Sequence, residues 1–259
     1  MGDMIRIGVA GALGRMGRVV QTLVAERADM ALAARIDRPA ADIDPHAPTL
    51  LAPAEALGLC DVIIDFSTAA ASTDLAALAA AAGGPGLVIG VTGFTPEEEA
   101  AITAAAQTIA IVKSGNFSLG VNMLALLVEE AARRLGPEAW DVEILEAHHR
   151  RKVDAPSGTA LLLGDAAARG RGEAPETTRL PVRSGLSAAR PPGGVGYASL
   201  RGGGIVGEHS VIFAADDEII TLSHSARDRS LFARGALAAA AWVATAPPGL
   251  YGMRDVLGV

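Results

Sequence analysis

Short apolar runs alternate with amphipathic stretches along the first half of the chain. Residues 5–10 are mostly apolar, and residues 15–27 follow with Met16, Val19, Val20, Leu23 and Val24 on one helical face. Apolar runs recur at residues 30–36, 61–66, 87–91 and 109–113. Runs of that length bounded by turn residues read as strands buried on both faces. Helices are expected at residues 69–82 and 96–107, the second with Pro96 in its first turn, where a missing N–H is harmless. Residues 39–53, rich in Pro and Asp, read as a loop. This repetition predicts an α/β fold over residues 1–117: a Rossmann-like, doubly wound parallel sheet with helices on both faces.

The pattern changes after Asn116. A helix at 119–135, a strand at 141–147 and a helix at 159–169 precede two strands at 208–213 and 218–225, joined by the turn Ala215-Asp216-Asp217. They predict an α+β domain over residues 118–228 with a mostly antiparallel sheet. Residues 170–196, rich in Gly, Pro, Arg and Ser, read as a long mobile loop, of a kind compact domains keep for function. A helix at 231–244 and an irregular tail, within residues 229–259, are expected to return to the first domain.

The first strand runs into Gly11-Ala12-Leu13-Gly14-Arg15-Met16-Gly17. Glycine there permits a tight turn and lets the backbone approach a pyrophosphate at the helix start. Leu13 stands where the usual Gly-x-Gly-x-x-Gly fingerprint has a glycine. Asp37 closes the second strand and suits a ribose hydroxyl, whereas Arg38 suits a 2′-phosphate, so both NADH and NADPH are expected to bind. Gly90-Val91-Thr92 and Ser114-Gly115-Asn116-Phe117 end later strands on the ligand edge and extend the candidate cofactor wall.

The segment from Glu146 to Leu161 carries the candidate chemistry. It holds His148, His149, Arg150, Arg151, Lys152 and Asp154, then Ser157-Gly158-Thr159 at a helix start. Two imidazoles among cations suit an anionic substrate that must also take a proton. Exposed amides at a helix start suit a carboxylate. Lys+Arg total 22, yet only Lys113 and Lys152 are lysines. Arginine cannot give up a proton and lysine can, so Lys152 reads as chemistry, whereas Lys113 reads as chance. Adjacent strand residues point apart and chelate one ion poorly, which argues against a metal at His148-His149. His46, His209 and His224 read as structural, with His209 still able to face the site. A formal charge of −7 and 3% aromatic content argue against a nucleic-acid surface. Cys60, the single cysteine, reads as a buried hydrophobe. No apolar stretch of about 20 residues suggests a membrane span, and no leader precedes the first strand, so a cytoplasmic protein is expected.

The glycine loop, Asn116-Phe117-Ser118, His148 through Thr159, Val206-Gly207-Glu208-His209 and the ending Gly249–Leu257 together resemble the dihydrodipicolinate (4-hydroxy-tetrahydrodipicolinate) reductases, over essentially the whole chain. The resemblance implies hydride delivery from NADH or NADPH to a cyclic imine dicarboxylate in the diaminopimelate route to lysine. It implies cofactor contacts at Gly11–Met16, Asp37-Arg38, Gly90–Thr92 and Ser114–Phe117, and proton donation from His148 and Lys152. It further implies a substrate contact at His149, a carboxylate held at Gly158-Thr159, and a cytoplasmic homotetramer. Arg151 departs from a histidine common in the family. The segment His148–Thr159 argues against the alternatives, another nicotinamide oxidoreductase acting on an imine or amino acid and a non-catalytic NAD(P)H sensor.

Overall fold

The structure, a computed structural model, describes residues 4–38, 49–183, 185–186 and 188–259. Most of the expected 39–53 loop, with His46, lies outside the described residues. In chain order the elements are β1 (Ile5–Ala10), α1 (Arg15–Ala25), β2 (Met30–Ile36), β3 (Leu50–Leu51), α2 (Pro53–Leu57), β4 (Val62–Asp65), α3 (Ala69–Ala82), β5 (Gly86–Ile89), α4 (Pro96–Ala105) and β6 (Ala110–Lys113). There follow α5 (Leu119–Arg134), β7 (Asp141–His148), α6 (Gly158–Arg171), α7 (Pro175–Thr178), β8 (Val195–Arg201), β9 (Gly207–Ala214), β10 (Ile219–Ala226), α8 (Ser230–Val243), β11 (Gly249–Tyr251) and α9 (Met253–Leu257). Two compact units result: Met1–Leu119 with Ser230–Val259, and Gly120–Arg229.

The first unit is a parallel sheet of seven strands in the order β11-β6-β5-β4-β1-β2-β3. Its central strands are mostly apolar because both faces are covered, with Arg6, Arg35, Asp65 and Lys113 the charged exceptions. Val62 and Ile64 join one core cluster with α1 and α8, while Ile63 joins the other with α3 and α4. Leu87, Val88 and Ile89 alternate in the same way, as the two-residue period of a strand requires. The carboxyl ends of β1, β4, β5 and β6 share one edge, which is where open α/β sheets bind ligands.

The second unit is a mixed sheet in the order β10-β9-β7-β8. β7 pairs antiparallel with β9 and parallel with β8. Val142, Ile144, Val195, Val211 and Phe213 on one face pack with α5 and α6 residues such as Val128 and Leu163. Leu145 and Leu200 are exposed.

Three expectations need correction. Residues 170–196 are not one long loop: α6 runs to Arg171, α7 follows, and β8 begins at Val195. The remaining segment is pinned by Arg190, whose guanidinium bonds Asp141 at 2.7 Å, Glu143 at 2.9 Å and the Val142 and Gly194 carbonyls. β8 escaped notice because glycine interrupts its pattern. The Glu143 carboxylate lies over that glycine, 2.0 Å from where a Cβ on residue 196 would sit, so a larger residue there would have to displace it. The tail is not irregular: β11 pairs with β6, and Tyr251 packs edge-on against Trp242 at 4.7 Å. Among the described residues no helix is long and apolar enough to cross a membrane.

Candidate active site

At the edge of the first unit the glycine loop is built for close approach. Gly11 has φ +70°, and a Cβ there would lie 2.7 Å from the Phe66 carbonyl. A Cβ on Gly17 would lie 2.2 Å from the Gly11 carbonyl, so glycine lets α1 pack against its own entry loop. Gly14 caps α1 without a side-chain bond, and no acidic residue occupies the first turn. The amides of Arg15 and Met16 therefore begin the helix without an anionic competitor, an arrangement that fits a pyrophosphate. Asp37 accepts the Leu13 amide at 2.8 Å through one oxygen and the Arg38 amide at 2.8 Å through the other. The acidic residue thus shapes the loop. Arg38 is exposed.

Phe66, Ser67 and Thr68, which the sequence did not single out, line a cavity of about 400 Å³ with Gly90, Val91 and Thr92. Gly90 is glycine for a steric reason: a Cβ would lie 2.1 Å from the Phe66 ring. Buried Asp65 supports this wall. It accepts the Ser67 amide at 2.8 Å and the Ser72 hydroxyl, and burial pushes its carboxyl upward against those hydrogen bonds. Ser114 bonds the Asn116 amide and carbonyl, and Asn116 accepts the Ser118 amide at 2.9 Å, which folds Gly115 outward. Ala12, Val91 and Phe117 are buried, so backbone is what they offer a ligand.

In the second unit the core face of the sheet turns polar along β7. Val142 and Ile144 are succeeded on the same face by Glu146 and His148. Neighbouring strands bring Arg201 opposite His148 and His209 opposite Glu146. Glu146 has no exposed side-chain surface and receives both ends of the Arg201 guanidinium, at 2.7 and 2.8 Å. His148 Nδ1 lies 2.5 Å from the same carboxylate. Burial alone would raise the Glu146 carboxyl, but hydrogen bonds from Arg201, Ser199 and His148 outweigh it and hold it down to about 2.

The N-cap of α6, Ser157, accepts the Ala160 amide at 3.2 Å and contacts His209 Nε2 at 3.2 Å. Gly158 and Thr159 open the helix, with no acidic residue in the first turn and open space around the Gly158 Cα. A carboxylate fits there. Lys152 pairs with Asp154 at 2.8 Å. His149 lies past the end of β7 and accepts from Arg229 at 3.2 Å in place of any contact with His148's carboxylate partner. Desolvation, with the positive charges of Arg151, Arg229 and His148 nearby, lowers its titration. Sequence reasoning missed Glu146 and Arg201. The two-residue spacing of Glu146 and His148 was the available signal for the first; Arg201 had none without β8.

His209 is 4% exposed, and burial with repulsion from His148 pushes it down to about 4 from an ordinary 6.5. As pH falls from 6.5 toward 4, the unfolded chain binds a proton that folded His209 refuses, so stability declines across that window and levels off below it. Urea midpoints for the wild type and His209→Gln across this range check the effect. The variant should show the flatter profile, and equal slopes would place the acid sensitivity elsewhere.

The family model described as dihydrodipicolinate reductase, N-terminus, matches residues 5–117, and its C-terminus counterpart matches residues 120–257. The chain is 54% identical over 258 residues to a 4-hydroxy-tetrahydrodipicolinate reductase of Caulobacter vibrioides, covering 100% of this chain and 99% of that one. It is 48% identical over 267 residues to the enzyme of that name from Rhizobium meliloti, covering 98% of each. A dipicolinate-bound dihydrodipicolinate reductase from Paenisporosarcina sp. TG-14 superposes with a TM-score of 0.81 at 26% identity, over 97% of this chain and 99% of that chain. The C. glutamicum DAP dehydrogenase, at 15% identity and a TM-score of 0.56, over 97% and 93%, shares the fold alone.

Proposed function

The chain belongs to the dihydrodipicolinate reductase family, and from that premise we propose how its residues divide the work. The activity is reduction of 4-hydroxy-tetrahydrodipicolinate to tetrahydrodipicolinate with a nicotinamide cofactor, in the diaminopimelate route to lysine. The observation that carries the reading is the buried Arg201–Glu146–His148 chain beside the open first turn of α6. It joins a proton donor to a carboxylate cradle in one unit.

When bound along Gly11–Met16, a reduced nicotinamide supplies the hydride. Asp37 receives a ribose hydroxyl and Arg38 a 2′-phosphate, so NADH and NADPH both serve. Gly90, Val91, Thr92, Ser114, Gly115, Asn116 and Phe117 complete its wall, with Phe66 above Gly90. The substrate is a cyclic dicarboxylate. The amides of Gly158 and Thr159 hold one carboxylate, His149 and the adjoining cations orient the ring, and His148 and Lys152 provide the proton that quenches the charge left by hydride addition. Exposed Leu145 and Leu200 on the open face of the second sheet suit burial against another copy; a cytoplasmic homotetramer completes the reading.

Oxidation of NADH, then of NADPH, coupled to the product of dihydrodipicolinate synthase tests the activity and the cofactor range together. Turnover with neither would defeat the reading. The carboxylate cradle has its own test. Gly158→Val should weaken binding of 2,6-pyridinedicarboxylate, a planar mimic of the substrate, by at least about tenfold through blocked backbone approach, and cofactor affinity should change far less. Unchanged affinity for the mimic would remove Gly158 from the cradle.

A further inference from the structure

Each oxygen of the buried Glu146 carboxylate has at least two partners. Oε1 accepts from Arg201 at 2.7 Å and from the Ser157 amide at 3.3 Å. Oε2 accepts from Arg201 at 2.8 Å and meets His148 Nδ1 at 2.5 Å. A carboxylate held down to about 2 has no proton to give at neutral pH. The contact with His148 is therefore a hydrogen bond only when Nδ1 carries the hydrogen, which leaves Nε2 to exchange a proton with a ligand. The surroundings agree. A Cβ on Gly207 would come within 3.3 Å of Nε2, so glycine keeps that flank uncrowded. The His209 ring packs edge-on against His148, with centroids 5.0 Å apart at 73°, and limits its rotation.

We propose that Glu146 is a positioning residue of the active site: with Arg201 behind it, its carboxylate fixes His148 as the Nδ1–H tautomer and presents Nε2 as the proton-donating atom. The proposal rests on the reading of His148 as a proton donor. In the donating step the ring starts as the imidazolium, with a hydrogen on each nitrogen; the Nε2–H bond breaks, its electron pair stays on Nε2, and the neutral Nδ1–H imidazole is left. A C–H or N–H bond forms on the reduced ring, and Nε2 later recovers a proton from water. Through all of this Nδ1–H remains with Glu146. Arg201 is part of the device, because a buried carboxylate without a counter-charge would itself take up a proton. Its guanidinium also donates to the Asp154 carbonyl at 2.7 Å, so the same group anchors the segment that carries Lys152.

Two measurements on the full protein decide the matter. In protein labelled with ¹⁵N at histidine, with His148 assigned by its loss in His148→Gln, the neutral ring should be the Nδ1–H tautomer. An Nε2–H ring would overturn the proposal. In Glu146→Gln the side-chain amide can present either oxygen or N–H to His148, so the tautomer is no longer dictated. There kcat should fall on the order of 10- to 100-fold, the range for groups that orient a working histidine, with KM for substrate and cofactor nearly unchanged, and the Nε2–H signal should emerge. Unchanged kcat, or a raised KM with kcat intact, would make Glu146 scaffolding and overturn the proposal. Should that variant not fold, the wild-type tautomer decides alone. Full turnover in His148→Gln would instead sink the donor reading whatever the tautomer, so the two failures are separable.

Discussion

Replacing His148 by Gln lowers turnover by roughly 10²–10⁴, the range for loss of a general acid, while affinity for NADH or NADPH scarcely changes. The expected size follows from the position. His148 is buried, hydrogen-bonded through Nδ1 to a carboxylate that holds its charge, and flanked by glycine at Nε2. The expected selectivity follows from chain organisation. Gly11–Met16, Asp37 and Gly90–Thr92 belong to the first unit, and His148 to the second. Glutamine is the suitable replacement because its amide N–H can still donate to Glu146, so no buried carboxylate loses a partner and the fold survives. Steady-state kinetics beside a fluorescence titration of reduced cofactor check both halves. A variant with more than half the wild-type turnover would take His148 out of the mechanism.

Lys152→Arg is expected to lose at least roughly 10² in turnover, within the range for acid–base groups, and still to fold. If the residue supplied positive charge alone, arginine would serve, as it does nearly everywhere else in this chain. The side chain is only 21% exposed, and its ammonium lies 2.8 Å from Asp154. A planar guanidinium is larger and stays protonated at any working pH. Lys113 grips both oxygens of Glu99, at 2.6 and 2.8 Å, and sits 4.7 Å over the Phe94 ring. These are structural contacts and give Lys113 no part in the chemistry. Kinetics of Lys152→Arg and Lys152→Ala side by side give the answer. Activity in the arginine variant well above the alanine level would make Lys152 an electrostatic clamp and leave His148 as the acid.

Much of the fold was legible because its cause is local. Strands buried on both faces are apolar at consecutive positions, as Val62, Ile63 and Ile64 are, and such runs stand out against amphipathic helices. β8 and β11 were not legible. Gly196 interrupts the apolar pattern of β8 beneath the Glu143 side chain, and the three residues of β11 form a strand only because β6 offers an edge. Among the candidate site residues, Gly11, His148, Lys152, Gly158 and Thr159 stood out because each belongs to a contiguous motif, and Asp37 because it closes the strand that follows the glycine loop and its helix.

The sequence by itself determined the class of fold, the glycine loop with its acidic partner, and the histidine–lysine segment that ends at a helix start. The glycine loop and the histidine–lysine segment each depend on residues within a few turns of chain, and the class of fold on a repetition of such local patterns. The tertiary structure decided which groups control them. Arg201 meets Glu146 across 55 positions, and His209 reaches Ser157 across 52. Phe66 covers Gly90 from a different strand. A hydrogen-bond partner for a buried carboxylate, or the ring that forbids a Cβ, is set by which strands lie side by side. Strand order is a property of the whole folded sheet, and no local pattern of polar and apolar residues encodes it.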